Sequence, residues 1–304
     1  MKELSDKDFV KKQRFQLHKH PWLSVLAVYA VIILSNFVVG TVVFGFLGLP
    51  ENMPWVQFLQ GIAYHVLTVF ILVPFVLRLP NGKRTFKQYL EDIGLSRFQP
   101  FIQLLLLGLS CYLLQAFSQV TGTIIFRSTE RLPITFGFIK QVLDLSWDLP
   151  PKSASLLVSI PSIFEEMTFR GVLLTVFLQR YSSRKSIIFS SIAFGLIHAL
   201  NLVMGGELIW VFGQVVWAFS IGLFYGYVFV KTRSLLPSMI VHYLGNAFIG
   251  SITMYFQNRA SIEIQALYGV LFFFGILPTT LMILWTKFYT SRWITQVMAG
   301  RSSP

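Results

Sequence analysis

Long apolar runs separated by short polar or basic stretches make up most of this sequence. A bilayer is crossed by about 20 apolar residues in helix, and eight runs are long enough. They cover about 22–48, 55–77, 101–125, 154–179, 186–204, 208–230, 235–257 and 266–286. Between them lie the stretch PENMP, a basic segment from Arg78 to Pro100, a longer loop from Phe126 to Ser153, and turns at 180–185, 205–207, 231–234 and 258–265. Within the basic segment, Asn81 to Leu95 is mildly amphipathic and reads as an interfacial helix on the cytoplasmic face or as a solvated loop. The first twenty residues are polar and basic, and the first apolar run is too long for the core of a cleavable leader, so none is expected. The pattern predicts an all-α polytopic membrane bundle of about eight transmembrane helices. A single membrane domain over 22–286, with its motif core at about 150–250, lies between tails 1–21 and 287–304.

Composition agrees. The chain is 54% hydrophobic and 12% charged, against about a quarter charged in soluble domains. Its net charge of +12 raises the question of nucleic acid, which the distribution of the basic residues answers. With the N-terminus placed in the cytoplasm, nineteen Lys and Arg fall on the inner side, five on the outer side, and Arg170 within a span. Such asymmetry orients membrane proteins; it predicts both termini in the cytoplasm of a multi-pass cell-membrane protein and accounts for the charge without a nucleic-acid partner. The single cysteine, Cys111, excludes an internal disulfide framework and a cysteine metal cluster.

Eleven of the thirteen acidic residues fall in tails and loops; Glu165 and Glu166 do not. A carboxylate in the middle of a membrane helix costs about 3 kcal/mol on insertion scales, so it marks a functional candidate. Glu166 and Arg170 stand four residues apart on one helix face and can pair. Glu165 points about 100° away, so its partner should come from another helix. His65, His198 and His242 lie in spans, and Asn246 follows His242 by one turn. Measured from the cytoplasmic ends of the predicted helices, Glu165 is ~21 Å deep, His198 ~18 Å, Asn246 ~17 Å and His242 ~11 Å. These four can meet in a cavity open to the cytoplasm. His65, with nothing in its sequence neighbourhood to place it there, reads as packing.

A carboxylate beside a histidine can activate water, and a second histidine with an amide can stabilise an oxyanion. The same residues admit a zinc reading, with Glu165, His198 and His242 as three ligands around an open fourth position. Two non-hydrolytic readings use the same groups: a scaffold held together by interhelical hydrogen bonds, and a proton-coupled transporter, although no inverted repeat is evident.

The motifs EExxxR at Glu165–Arg170, FxxxH at Phe194–His198 and HxxxN at His242–Asn246, in that order, resemble the CPBP family of CAAX proteases and bacteriocin-processing enzymes. The stretch TFKQYLEDIGL is similar to that family's upstream segment. The resemblance implies a glutamic intramembrane endopeptidase without a cofactor. In it Glu165 and His198 would activate water, His242 and Asn246 would form the oxyanion hole, and Glu166 and Arg170 would support the site. Its substrate would be a membrane peptide or membrane protein at the lipid bilayer. The compact chain looks more like the bacterial branch, associated with peptide maturation and bacteriocin immunity.

Overall fold

The computed structural model describes residues 17–77, 86–96, 98–129, 131, 133–138, 157, 159–257, 269 and 271–294. Each predicted apolar run contains one long helix. These are α1 (Pro21–Phe46), α2 (Trp55–Leu77), α4 (Phe101–Thr129), α5 (Pro161–Glu166, continued by Met167–Leu173 and Leu174–Leu178), α6 (Ser183–Leu202), α7 (Leu208–Thr232), α8 (Leu236–Gln257) and α9 (Leu271–Trp293). A short α3 spans Phe86–Asp92. Most of the expected start of the fourth span, residues 81–85 of the amphipathic segment, much of the long loop, the turn 258–265 and the tail residues 1–16 and 295–304 lie outside the described residues.

Among the described residues, six helices, α1, α2, α4, α6, α7 and α9, are long and apolar enough to cross a membrane. The motif helix α5 carries Glu165, Glu166 and Arg170, and it sits inside the bundle with Phe169, Leu173, Leu174 and Phe177 all buried. The outward faces are apolar instead: Phe37 is 70% exposed, Phe75 80% and Phe117 68%. A contiguous surface of this kind is unsuited to water and suited to lipid. The protein is a polytopic helical membrane bundle.

The core is continuous across the helices, joining Val28 of α1, Leu77 of α2, Phe177 of α5, Phe194 of α6, Phe224 of α7, Val241 of α8 and Met282 of α9. Helix α6 packs along α7, and α8 along α4. Close approach at the α4–α8 seam depends on Gly108, where a Cβ would come within 2.9 Å of Ile240; small residues are the usual means of close packing between membrane helices.

The described part of the amphipathic segment forms a helix, Phe86–Asp92, docked into protein. Tyr89 and Ile93 are buried, the Tyr89 hydroxyl donates to the Val69 carbonyl at 2.8 Å, and Gly171 of α5 leaves room for the Ile93 backbone. Its polar side, with Lys87, Gln88 and Asp92, stays exposed. Segments that the charge count placed on one side of the membrane do share one end of the bundle. Arg180 donates to the Lys19 carbonyl at 3.5 Å, the last turn of α2 packs near Leu17–Lys19, and Gly94 lies against the Arg233 carbonyl.

Candidate active site

The motif helix changes its winding at the site. After Glu166 the chain runs as a π-helix over Met167–Leu173, a form that recurs at functional sites. The Phe169 carbonyl, within this stretch, accepts a hydrogen bond from the Ser190 hydroxyl of α6 at 2.9 Å. Arg170 is fully buried and lies 3.2 Å from Glu166 through NH1 and Oε1. The contact is ionic rather than an aligned hydrogen bond, because none of the guanidinium nitrogens has a hydrogen-bond partner among the described residues. The cation is instead covered by two rings, Phe194 at 4.1 Å and Tyr225 at 4.9 Å, a contact favourable for a desolvated guanidinium.

His242 of α8 joins the two carboxylates. Its Nδ1 lies 3.0 Å from Glu166 Oε1 and donates to it, and its Nε2 lies 3.7 Å from Glu165 Oε2, too far for a hydrogen bond. Tyr225 stacks on the His242 ring at 5.1 Å, and Phe194 meets it edge-on at 5.7 Å. The partner of Glu165 thus comes from another helix, as the angular argument requires. The two adjacent acids have opposite surroundings. Glu166 has no exposed side-chain surface and is held by Arg170 and His242, whereas the Glu165 side chain is 31% exposed and only loosely held.

His198 sits where α6 passes into the 3₁₀ turn His198–Leu202. Its Nδ1 is 2.9 Å from the Phe194 carbonyl. A carbonyl only accepts, so Nδ1 carries the proton and Nε2 presents its lone pair. No hydrogen bond or ion pair joins His198 to Glu165 among the described residues, although the Glu165 charge reaches its ring electrostatically. Asn246 is exposed and makes no hydrogen bond among the described residues. No group of three His, Cys, Asp or Glu side chains is arranged to hold a metal among them.

The depth argument needs one correction. His242 lies only six residues into α8, ~9 Å, and Glu165 lies thirteen residues before the end of α5, ~20 Å, yet the two meet. The helix ends are not level. Arg233, at φ 56°, closes α7 with a hydrogen bond to the Phe229 carbonyl, and the next residues, Ser234 and Leu235, are already buried. Helix α8 thus starts inside the bundle.

Sequence reasoning gave no role to Phe194, Tyr225 or Gly222. Phe194 touches Phe169, Arg170, His198 and His242. The spacing of Gly222 and Gly226 around Tyr225 was the available signal, since small residues four apart mark close helix contacts. A Cβ at Gly222 would lie 3.1 Å from Arg170 NH2 and 3.2 Å from the Ser191 Cβ. Gly222→Val is expected to cost about 1–3 kcal/mol as an overpacking change. Thermal unfolding in detergent reads this as a lowered Tm, with Gly45→Ala, at an open position on α1, unchanged.

Comparison with known proteins converges on the same helices. Residues 149–248, about a third of the chain, match the sequence model of the family described as type II CAAX prenyl endopeptidase Rce1-like. The matched segment contains all three motifs, and the model it is similar to describes a branch of the CPBP family. No curated protein and no solved structure matches the chain.

Proposed function

From that family match at the motif-bearing segment, we propose that this multi-pass membrane protein is an intramembrane endopeptidase acting on a membrane-associated peptide or protein. The observation that carries the reading is the unequal pair of acids: Glu166 sealed between Arg170 and His242, Glu165 partly exposed. Two carboxylates whose surroundings differ in this way take different roles.

Glu165 accepts a proton from water, and the water oxygen bonds to the scissile carbonyl carbon. His198, whose Nε2 makes no hydrogen bond among the described residues, orients that water as an acceptor. The carbonyl oxygen becomes an oxyanion, to which His242 and Asn246 donate. With Nδ1–H already committed to Glu166, His242 serves as this donor only when Nε2 also carries a proton. Glu166 lies at hydrogen-bonding distance to stabilise the positive charge that results. Glu165 then returns its proton to the leaving nitrogen as the C–N bond breaks, so the catalyst is regenerated without a cofactor. The excess of basic residues at one end of the bundle supports a cytoplasmic location for both termini and for the mouth of the site. Peptide maturation or bacteriocin immunity fits such a substrate.

One observation favours a second reading, a non-catalytic scaffold. The Arg170–Glu166–His242 chain, covered by Phe194 and Tyr225, ties α5, α6, α7 and α8 together whether or not water is activated. The deciding measurement is cleavage of a membrane-peptide library by the purified protein, with and without a strong chelator. Cleavage indifferent to chelator is expected. Loss on chelation with recovery on zinc would instead make Glu165, His198 and His242 ligands. No cleavage, with Glu165→Gln still functional in cells, would leave the scaffold.

A further inference from the structure

His65 of α2 was read from the sequence as packing, and the structure places it elsewhere. Helices α2 and α5 run alongside each other in the same direction. Gly61 of α2 meets Pro161 of α5, where a Cβ would lie 3.5 Å from the proline ring. One turn further on, the His65 ring lies 5.6 Å from Phe164. Further still, Val69 packs in one cluster with Met167. Gly61 and His65 are four residues apart, as are Pro161 and Glu165, so each pair shares a helix face. The register that seats Gly61 on Pro161 therefore brings His65 to the level of Glu165. The Glu165 charge reaches both His65 and its neighbour Tyr64 electrostatically.

The ring is also built for the task. His65 Nδ1 lies 2.8 Å from the Gly61 carbonyl, so Nδ1 carries the proton and Nε2 the lone pair. His198 is held in the same way by the carbonyl four residues before it. Both rings are fixed by their own helix, and neither Nε2 is hydrogen-bonded among the described residues. His65 is 6% exposed and rests against Tyr64 at 4.0 Å between centroids. No hydrogen bond or ion pair joins its Nε2 to Glu165 among the described residues, so a link between the two runs through a water.

We propose that His65 is a positioning residue of this site: a bridging water, distinct from the attacking one, donates one O–H to Glu165 and the other to the His65 Nε2, which holds the carboxylate from the side of α2. The inference rests on the endopeptidase reading. It adds a third helix wall to the site, beside those of α6 and α8.

The test compares wild type, His65→Phe and His65→Gln on one cleaved membrane peptide, with Tm recorded for each. His65→Phe keeps the ring packing against Phe164 and removes the acceptor; His65→Gln restores an acceptor through its amide oxygen. The expected result is a fall in kcat of about 10–100-fold for His65→Phe with KM within twofold, partial recovery of kcat in His65→Gln, and Tm within a few degrees throughout. A kcat for His65→Phe within twofold of wild type overturns the proposal. A loss of kcat that tracks a loss of Tm and is not recovered in His65→Gln also overturns it, leaving His65 structural. Failure of the endopeptidase reading is distinguishable, because wild type itself would then cleave nothing.

Discussion

Glu165→Gln is expected to abolish cleavage while leaving the protein folded and inserted. Loss of a positioned general base removes about 10²–10⁴-fold in rate. The amide keeps the volume of the acid and cannot take the proton. The fold should be indifferent because Glu165 is partly exposed and its ionic contact across helices among the described residues, His242 Nε2 at 3.7 Å, is too long for a hydrogen bond. Cleavage by wild type, Glu165→Gln and His198→Ala, together with Tm in detergent, checks this. Unimpaired cleavage by both variants would sink the mechanism. A large fall in Tm for Glu165→Gln would show that the acid holds helices together instead.

The sequence was most legible where a residue type was out of place. Two acids and an arginine in an apolar run identify the helix that carries the site, because burial of charge is too costly to be incidental. The apolar periods likewise marked every long helix, since lipid-facing and core-facing residues are both hydrophobic and the runs are unbroken. Depth was less legible. It was counted from helix ends, and α8 begins inside the bundle because Ser234 and Leu235 are buried after the left-handed turn at Arg233. The aromatic cover over Arg170 was also hidden: the FxxxH motif marks Phe194 without showing that its ring, with that of Tyr225, lies against the guanidinium. His65 could not be placed either, since nothing local to α2 reports its register with α5, and only the Gly61–Pro161 contact sets it.

Arg170→Leu is expected to be the most damaging single substitution for stability. It leaves the Glu166 carboxylate, with no exposed side-chain surface, as a buried anion whose remaining partner among the described residues is His242 Nδ1. Removing one partner of a buried pair typically costs about 3–5 kcal/mol, a large part of the stability of an ordinary domain. It also strips the cation from beneath Phe194 and Tyr225. Arg170→Lys should recover little, because an ammonium lacks the planar face that lies against both rings. The double variant Glu166→Leu/Arg170→Leu removes both charges and should restore much of the fold, since replacing a buried pair with apolar groups is often neutral or stabilising. Its catalysis should stay impaired, because His242 Nδ1 then loses the acceptor that orients the ring toward Glu165. Tm and cleavage measured side by side separate the two effects. If Arg170→Leu is as stable as wild type, the ion pair does not hold α5 in place. If the double variant is stable and fully active, Glu166 does not orient His242, and the support of the site must come from the stacked Tyr225 and the edge of Phe194 alone.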